Sequence, residues 1–194
     1  MLRKSLVVVL LLSALLSACS QAAGPGAAED PTLKIAVLPI LDALPMYVAE
    51  AQGYFKDAGI KVEFVPVASA AERDQLMQAG QADGMINDLI STVLYNKDTQ
   101  KIAIVRFARI ASADQPQYSI LASKDSGFTQ PEDLKGIEIG ISQGTVIDYI
   151  TNRLLLKAGL TAEDIKTTNI PKIPDRLQLL ADGKLKAATM PEPF

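Results

Sequence analysis

The chain repeats its own plan. From Leu33 onward it runs strand, helix, strand, helix, strand, then does so again about 103 residues later, with Ile35 mapping to Glu138 and Gly80 to Gly183. In the first pass Lys34–Leu38 is a short apolar strand stopped by Pro39. Leu44, Tyr47, Val48 and Ala51 follow at helical spacing, with Pro45 in the first turn and Gly53 near the end. Lys61–Val65 reads as a second strand. Ser69 and Glu72 then form a capping box, in which hydroxyl and carboxylate satisfy amide donors at the start of a helix that ends near Gly80. Gly84–Ile86 is a third strand, Asn87–Asp88 caps a helix carrying Leu89, Ile90, Val93 and Leu94, and Lys101–Phe107 closes the set as another strand. In the second pass Ile137–Ile141 is a strand. Ser142-Gln143-Gly144-Thr145 opens a helix bearing Ile147, Ile150, Leu154 and Ala158, which Gly159 ends. Strand Ile165–Ile170, a helix from about Pro174 to Asp182, and strand Leu185–Met190 complete it.

Short apolar strands alternating with helices demand parallel sheets built from right-handed crossovers. Two such units predict an α/β protein of two lobes, residues 33–115 and 116–194, joined near Ala111–Tyr118. The alternative is one larger doubly wound sheet.

The N-terminus carries a different signal. Arg3 and Lys4 precede an apolar run from Leu6 to Leu16, and Leu16-Ser17-Ala18 leads to Cys19. A basic start, a short apolar stretch and small residues before a cut describe a secretory signal peptide. Cysteine at the cut gives residues 1–19 the pattern of a bacterial lipobox, with Cys19 as the lipidated residue; the alternative is an ordinary signal peptide with an incidental cysteine. The apolar run is short for a membrane span, so the expectation is a protein anchored to a membrane, on the outer face of the cytoplasmic membrane or, in a two-membrane bacterium, in the periplasm or at the outer membrane. Residues 20–32, rich in small residues, Gly and Pro, read as a flexible tether.

Composition removes several classes of function. With no histidine there is no Ser-His-Asp or Cys-His arrangement and no His-based zinc site, and the single cysteine allows no disulfide within the chain. A net charge of -3 gives no basic field for nucleic acid. Neither a phosphate-binding loop of the G-x-x-x-x-G-K-[ST] type nor G-x-G-x-x-G is present. No catalytic residue, metal or cofactor is expected.

Parallel sheets bind ligands at the carboxyl ends of their strands. Here those loops hold Leu41 and Asp42, Asn87 and Asp88, Ser142, Gln143, Gly144 and Thr145, and Glu192. Small hydroxyl residues and a glycine at a helix start leave backbone N–H groups for a carboxylate, sulfonate or phosphate, or else simply cap the helix. Asp42, Asp88 and Glu192 suit an amine or a heterocycle, with capping or solvent exposure as the alternative. Tyr47 either stacks on a ligand or faces the core. Arg106 and Arg109 flank the expected crossing, where surface ion pairs are the ordinary outcome.

Several phrases resemble a known family. Ala49–Ile60 (AEAQGYFKDAGI) is the most specific, within a segment from Leu33 to Val67 similar to the opening of the nitrate/sulfonate/taurine and thiamine-precursor binding proteins of ABC importers. Gln78–Gly84, Ser126–Gly136, Lys157–Leu160 and Pro191–Phe194 match in order and spacing, so the resemblance covers essentially all of the chain from Leu33. It implies a type II periplasmic-binding-protein fold with a small anionic or heterocyclic nutrient between two lobes. The pocket would be lined by Leu41, Asp42, Asn87, Asp88, Ser142–Thr145 and Glu192, and the partners would be an ABC permease with its ATPase, the protein itself being a monomer. It also implies a binding function and not an enzyme. A solute-sensing lipoprotein and a biosynthetic enzyme on the same fold are the alternatives, the pyrimidine-forming enzyme type resembling one that needs a histidine. Lys186 departs from the family's usual aspartate, which Asp83 supplies in the first half. Family members also continue past the position of Phe194, so the second lobe is expected to be incomplete.

Overall fold

The computed structural model describes residues 32–194; the leader with Cys19, and the tether except Thr32, lie outside the described residues. Leu33–Val37 forms strand β1, buried toward its carboxyl end at Ala36 and Val37. It pairs in parallel with β2 (Val62–Pro66) on one side and with the two-residue β3 (Gly84–Met85) on the other. A second sheet holds β4 (Tyr118–Ala122), β5 (Glu138–Ile141), β6 (Lys166–Asn169) and β7 (Ala187–Pro191) in the order β4-β7-β5-β6. Two separate sheets replace the single doubly wound alternative, and their pairing is parallel except for β4, which runs antiparallel to β7.

The repeat read from sequence is present in the register. Ile35 lies opposite Phe64 and Gly84 in the first sheet, and Ile139 lies opposite Thr167 and Ala187 in the second. Phe64 and Thr167, like Gly84 and Ala187, stand 103 residues apart, whereas β1 and β5 correspond at 104. The span from the first strand of the unit to the second is one residue shorter in the second half.

Helices α1 (Leu44–Ala51), α2 (Tyr54–Asp57), α3 (Ala70–Gln78), α4 (Leu89–Tyr95), α5 (Val146–Lys157) and α6 (Ile173–Ala181) connect the strands. Their starts follow the capping chemistry of the sequence. Ser69 Oγ accepts from the Glu72 amide at 3.1 Å while Glu72 Oε2 accepts from the Ala68 amide at 2.9 Å, holding the entrance to α3 from both sides. Asp88 caps α4 and Thr145 caps α5 through their side-chain oxygens. Gly53, at φ 77°, makes the left-handed turn that separates α1 from α2.

Apolar packing has two main centres. Ile139, Ile141, Val146, Ile147 and Leu155 fill the second sheet's side, each burial contributing about 1.5–3 kcal/mol. A second cluster bridges the two sheets, placing Leu38 and Val67 against Ile173, Leu180, Leu185 and Met190. The Ile173 amide donates to the Ala68 carbonyl at 3.0 Å across the same junction.

Three expectations fail. Lys101–Phe107 forms no strand: β3 is paired only with β1 among the described residues, and the segment has no ladder to join, leaving Val105 95% exposed. No strand is expected at Tyr118–Ala122, just beyond the expected connection, yet five register pairs hold one there against β7. Helix α1 buries none of its residues, so the stripe of Leu44, Tyr47 and Val48 is not a core face; Tyr47 is 43% exposed and meets Phe64 edge-on at 4.9 Å.

Candidate functional site

A cavity of about 970 Å³ opens where the strands' carboxyl ends converge, between the two sheets. Of the residues expected to line a ligand site, Asp42, Asn87, Asp88 and Ser142 lie on its wall. Leu41, Tyr47, Gln143, Thr145 and Glu192 are not among its lining residues, and Gly144 borders a separate hollow beside Tyr95 and Lys97.

On the first sheet's side the polar groups are mostly engaged with one another. Asp88 Oδ1 accepts from the Ser91 amide at 2.8 Å, and Asp88 Oδ2 accepts from Ser91 Oγ at 3.0 Å. Arg73, only 2% exposed, donates from Nη1 to the Ile86 carbonyl at 3.1 Å and from Nη2 to Ser91 Oγ at 3.0 Å, with Asp88 Oδ2 at 3.5 Å and Asp74 Oδ1 at 2.9 Å from Nε. Two carboxylates thus neutralise this buried cation. Burial pushes the Asp74 carboxyl above its ordinary value, against the lowering pull of Arg73. Asn87 Nδ2 donates to Thr92 Oγ1 at 3.2 Å, but Asn87 Oδ1 has no partner.

At the connection between the sheets, Gln117 Nε2 donates to Asp42 Oδ1 at 3.2 Å and to the Arg109 carbonyl at 3.4 Å. Arg109 Nε stands 3.8 Å from Asp42 Oδ1, close enough for charge attraction and too long for a hydrogen bond. That pair is half-buried on the cavity wall, not on the open surface where it was expected, and Arg106 makes no ion pair among the described residues. Tyr118 also lines the cavity; burial, with the charges of Asp88 and Asp42 second, pushes its phenol far above the ordinary range, so it keeps its proton.

The second sheet's wall is different. The Gln143 amide donates to Asn169 Oδ1 at 3.0 Å and the Gly144 amide to Asp148 Oδ2 at 3.0 Å, while the Ile147 amide donates to Thr145 Oγ1 at 3.2 Å. The start of α5 therefore satisfies these donors internally. Ser142 Oγ, by contrast, is buried without a partner. Arg176 is wholly buried; Nε donates to the Thr189 carbonyl at 3.1 Å and Nη1 to the carbonyls of Ile170 at 2.7 Å and Pro171 at 3.3 Å. Burial lowers its guanidinium to about 10, still charged at neutral pH.

Among the described residues, the buried side-chain atoms without a partner are Asn87 Oδ1, Arg109 Nε and Nη2, Ser142 Oγ and Arg176 Nη2. All four residues line this one cavity. A buried polar atom left unpaired costs about 1–3 kcal/mol, so such atoms do not gather in one place without cause. Sequence reading missed Arg73, Arg109 and Arg176 as site residues. A signal for two of them was present, since Arg73 and Arg176 stand 103 residues apart, at the offset of the repeat. No group of three or more Cys, Asp or Glu residues poised for a metal occurs among the described residues, and no described helix is long and apolar enough to cross a membrane.

Known proteins share this architecture. The chain is similar to the alkanesulfonate-binding protein SsuA from Xanthomonas axonopodis pv. citri bound to MOPS, at 17% identity and a TM-score of 0.62, covering 86% of this chain and 56% of that one. It is likewise similar to the periplasmic nitrate-binding protein NrtA from Synechocystis PCC 6803, at 17% identity and a TM-score of 0.63, covering 85% of this chain and 48% of that one. Both likenesses establish the periplasmic-binding-protein fold, and the chain spans about half the length of these structures. In sequence it is 26% identical over 121 residues to the 4-amino-5-hydroxymethyl-2-methylpyrimidine phosphate synthase of Aspergillus parasiticus, covering 62% of this chain and 34% of the relative. A family model described as NMT1/THI5 like matches residues 41–190, most of the described chain, and the protein belongs to that family.

Proposed function

We propose that this protein is an extracytoplasmic solute-binding lipoprotein, which captures a small anionic or heterocyclic nutrient in the cavity between its sheets and delivers it to an ABC permease with its ATPase. The observation that carries this reading is the gathering of unpartnered buried donors and an acceptor around one cavity. A solute supplying the matching groups removes their cost, and its binding energy draws the two lobes together. The lobes are taken as residues 33–115 and 116–194. We take Asp42, Asn87, Asp88 and Ser142, which line the cavity, as ligand-site residues; Leu41, Tyr47, Gln143, Thr145 and Glu192 lie outside its lining and Gly144 borders a separate hollow, so a role for them requires the lobes to move. The family also has an enzyme among its relatives, but the chain has no histidine and its carboxylates Asp42 and Asp88 are bound to neighbouring side chains and amides, which favours capture over chemistry. Cys19 carries the lipid that holds the monomeric protein on the outer face of the cytoplasmic membrane, or in a two-membrane bacterium within the periplasm or at the outer membrane.

The test is a thermal-shift and calorimetric screen of the purified full-length protein against alkanesulfonates, nitrate, taurine, aromatic acids and aminopyrimidines. A ligand at about 100 times its Kd adds about 2.7 kcal/mol, which raises Tm by roughly 5–10 °C in a chain of this size. No shift and no heat with any of them would count against a solute-binding role. Turnover of a bound compound would move the protein to the enzyme class.

A further inference from the structure

The two halves of the repeat each bury one arginine, and they treat it differently. Arg73 near the start of α3 and Arg176 near the start of α6 are separated by 103 residues, and they donate to carbonyls at matching positions, Arg73 from Nη1 to Ile86 and Arg176 from Nε to Thr189, both at 3.1 Å. Ile86 and Thr189 are themselves 103 residues apart. In the first half the remaining nitrogen, Nη2, is satisfied by Ser91 Oγ and faces Asp88. Carrying those two positions across the repeat gives Pro191 and Phe194, neither of which has a side-chain acceptor. Arg176 Nη2 is accordingly unpartnered, and no carboxylate forms an ion pair with Arg176 among the described residues.

Ser142 belongs with it. Gly140 gives up its side chain to the arginine: a Cβ there would meet Arg176 Cγ at 3.2 Å and Cδ at 3.3 Å. Residue 142 stands two positions further on, just past the end of β5. Both residues line the cavity, and Ser142 Oγ is unpartnered too, its hydroxyl free because the donors beyond it at Gln143 and Gly144 turn to Asn169 and Asp148 instead. Arg176 has already given Nε and Nη1 to three carbonyl oxygens. It can therefore supply one charged end, and a second donor must come from elsewhere.

We propose that Arg176 Nη2 and Ser142 Oγ are the seat for an oxyanion, the carboxylate, sulfonate or phosphonate head of the bound solute, which takes the place that Asp88 and Ser91 hold against Arg73. This rests on the solute-binding reading and narrows it to an anion. The other end of the solute faces Asn87 Oδ1, an acceptor without a donor, and so carries a hydroxyl or amine.

Calorimetry on the full-length protein, with Arg176→Met, Arg176→Lys and Ser142→Ala beside the wild type, tests this. The probes are methanesulfonate, taurine, methylphosphonate, benzoate and the uncharged 4-amino-5-hydroxymethyl-2-methylpyrimidine. The expected result is binding of at least one anion, weakened roughly 10- to 100-fold by Arg176→Met and about 3- to 10-fold by Ser142→Ala. Arg176→Lys, which keeps the charge if the methionine variant fails to fold, retains part of the anion affinity. Binding of the pyrimidine alone overturns the oxyanion seat while the solute-binding reading stands. Anion binding that survives Arg176→Met unchanged also overturns it, and shows that the arginine is held by other groups of the full chain. Silence from all five probes counts against both.

Discussion

Gly140→Ala is the sharpest probe of the packing that places Arg176. The new methyl group would stand well inside van der Waals contact of Leu185 Cδ2 and at 3.2 and 3.3 Å from two carbons of the Arg176 stem. Leu185 meets it with the free end of a flexible side chain and can turn aside. The arginine stem cannot, because its guanidinium is fastened to the carbonyls of Thr189, Ile170 and Pro171. Overpacking of this kind costs about 1–3 kcal/mol. Replacing glycine in a strand returns roughly 0.5–1 kcal/mol through the unfolded chain. The difference spans about 0–2.5 kcal/mol, and contact with two side chains at once puts it in the upper part, on the order of 1–2.5 kcal/mol, a fall in Tm of about 2–10 °C. Gly84→Ala serves as the control, since its Cβ would meet only Ile35 Cδ1, at 2.9 Å, again the movable end of a side chain. Leu185→Ala in the same chain should relieve part of the Gly140→Ala penalty, giving a non-additive double mutant. Thermal unfolding followed by circular dichroism measures all four variants. A Gly140→Ala protein as stable as the wild type would refute the close seating of β5 on the arginine.

Three further outcomes follow from other parts of the chain. Ser69→Ala removes the cap that accepts from Glu72 and should cost about 1 kcal/mol, read as a Tm lower by roughly 2–4 °C, with Glu72→Gln milder because it still accepts from Ala68. The amides of Thr129 and Gln130 hold the exposed Asp133 carboxyl below its ordinary 3.8, so its stabilising contribution is complete above that pH and is lost as pH falls through the lowered value. The stability gap between wild type and Asp133→Asn should be constant from neutral pH down to about 5 and close on further acidification; a gap that widened in acid would reverse the sign. Because Arg176 stays charged up to about 10 and the chain has no histidine to titrate near neutrality, affinity for methanesulfonate, whose charge is fixed, should be flat between about pH 6 and 9, and a midpoint near 7 in a calorimetric series would implicate another group.

Periodicity and caps made most of the architecture legible, for a physical reason. Ser69, Asp88 and Thr145 each close a helix start with the oxygen that the sequence displays there, because capping is decided within three residues. Strand formation is decided elsewhere. Lys101–Phe107 has as good a strand composition as β1, yet a strand exists only against a partner, and the edge of β3 offers none among the described residues. Tyr118–Ala122 failed in the opposite direction, its pairing to β7 being invisible to any local window. The site was half legible. Loops at strand ends put Asp42, Asn87, Asp88 and Ser142 on the cavity, but Arg176 sits in a helix that reads as ordinary amphipathic sequence. Only the comparison of its partners with those of Arg73 reveals its unbalanced charge.

The antiparallel pairing of β4 with β7 has a consequence for how the chain becomes a protein. Among the described residues β4 is the first strand of its sheet in chain order and β7 the fourth, with about 65 residues between Ala122 and Ala187. Until β7 emerges, β5 and β6 can pair with each other, but Tyr-Ser-Ile-Leu-Ala has nowhere to go. Until that pairing forms, an apolar strand edge stays open. The first sheet has no such delay, since each of its three strands finds its neighbour within some fifty residues. Of the two described sheets, the one that must close the longer stretch of chain is the one that places Arg176 and Ser142.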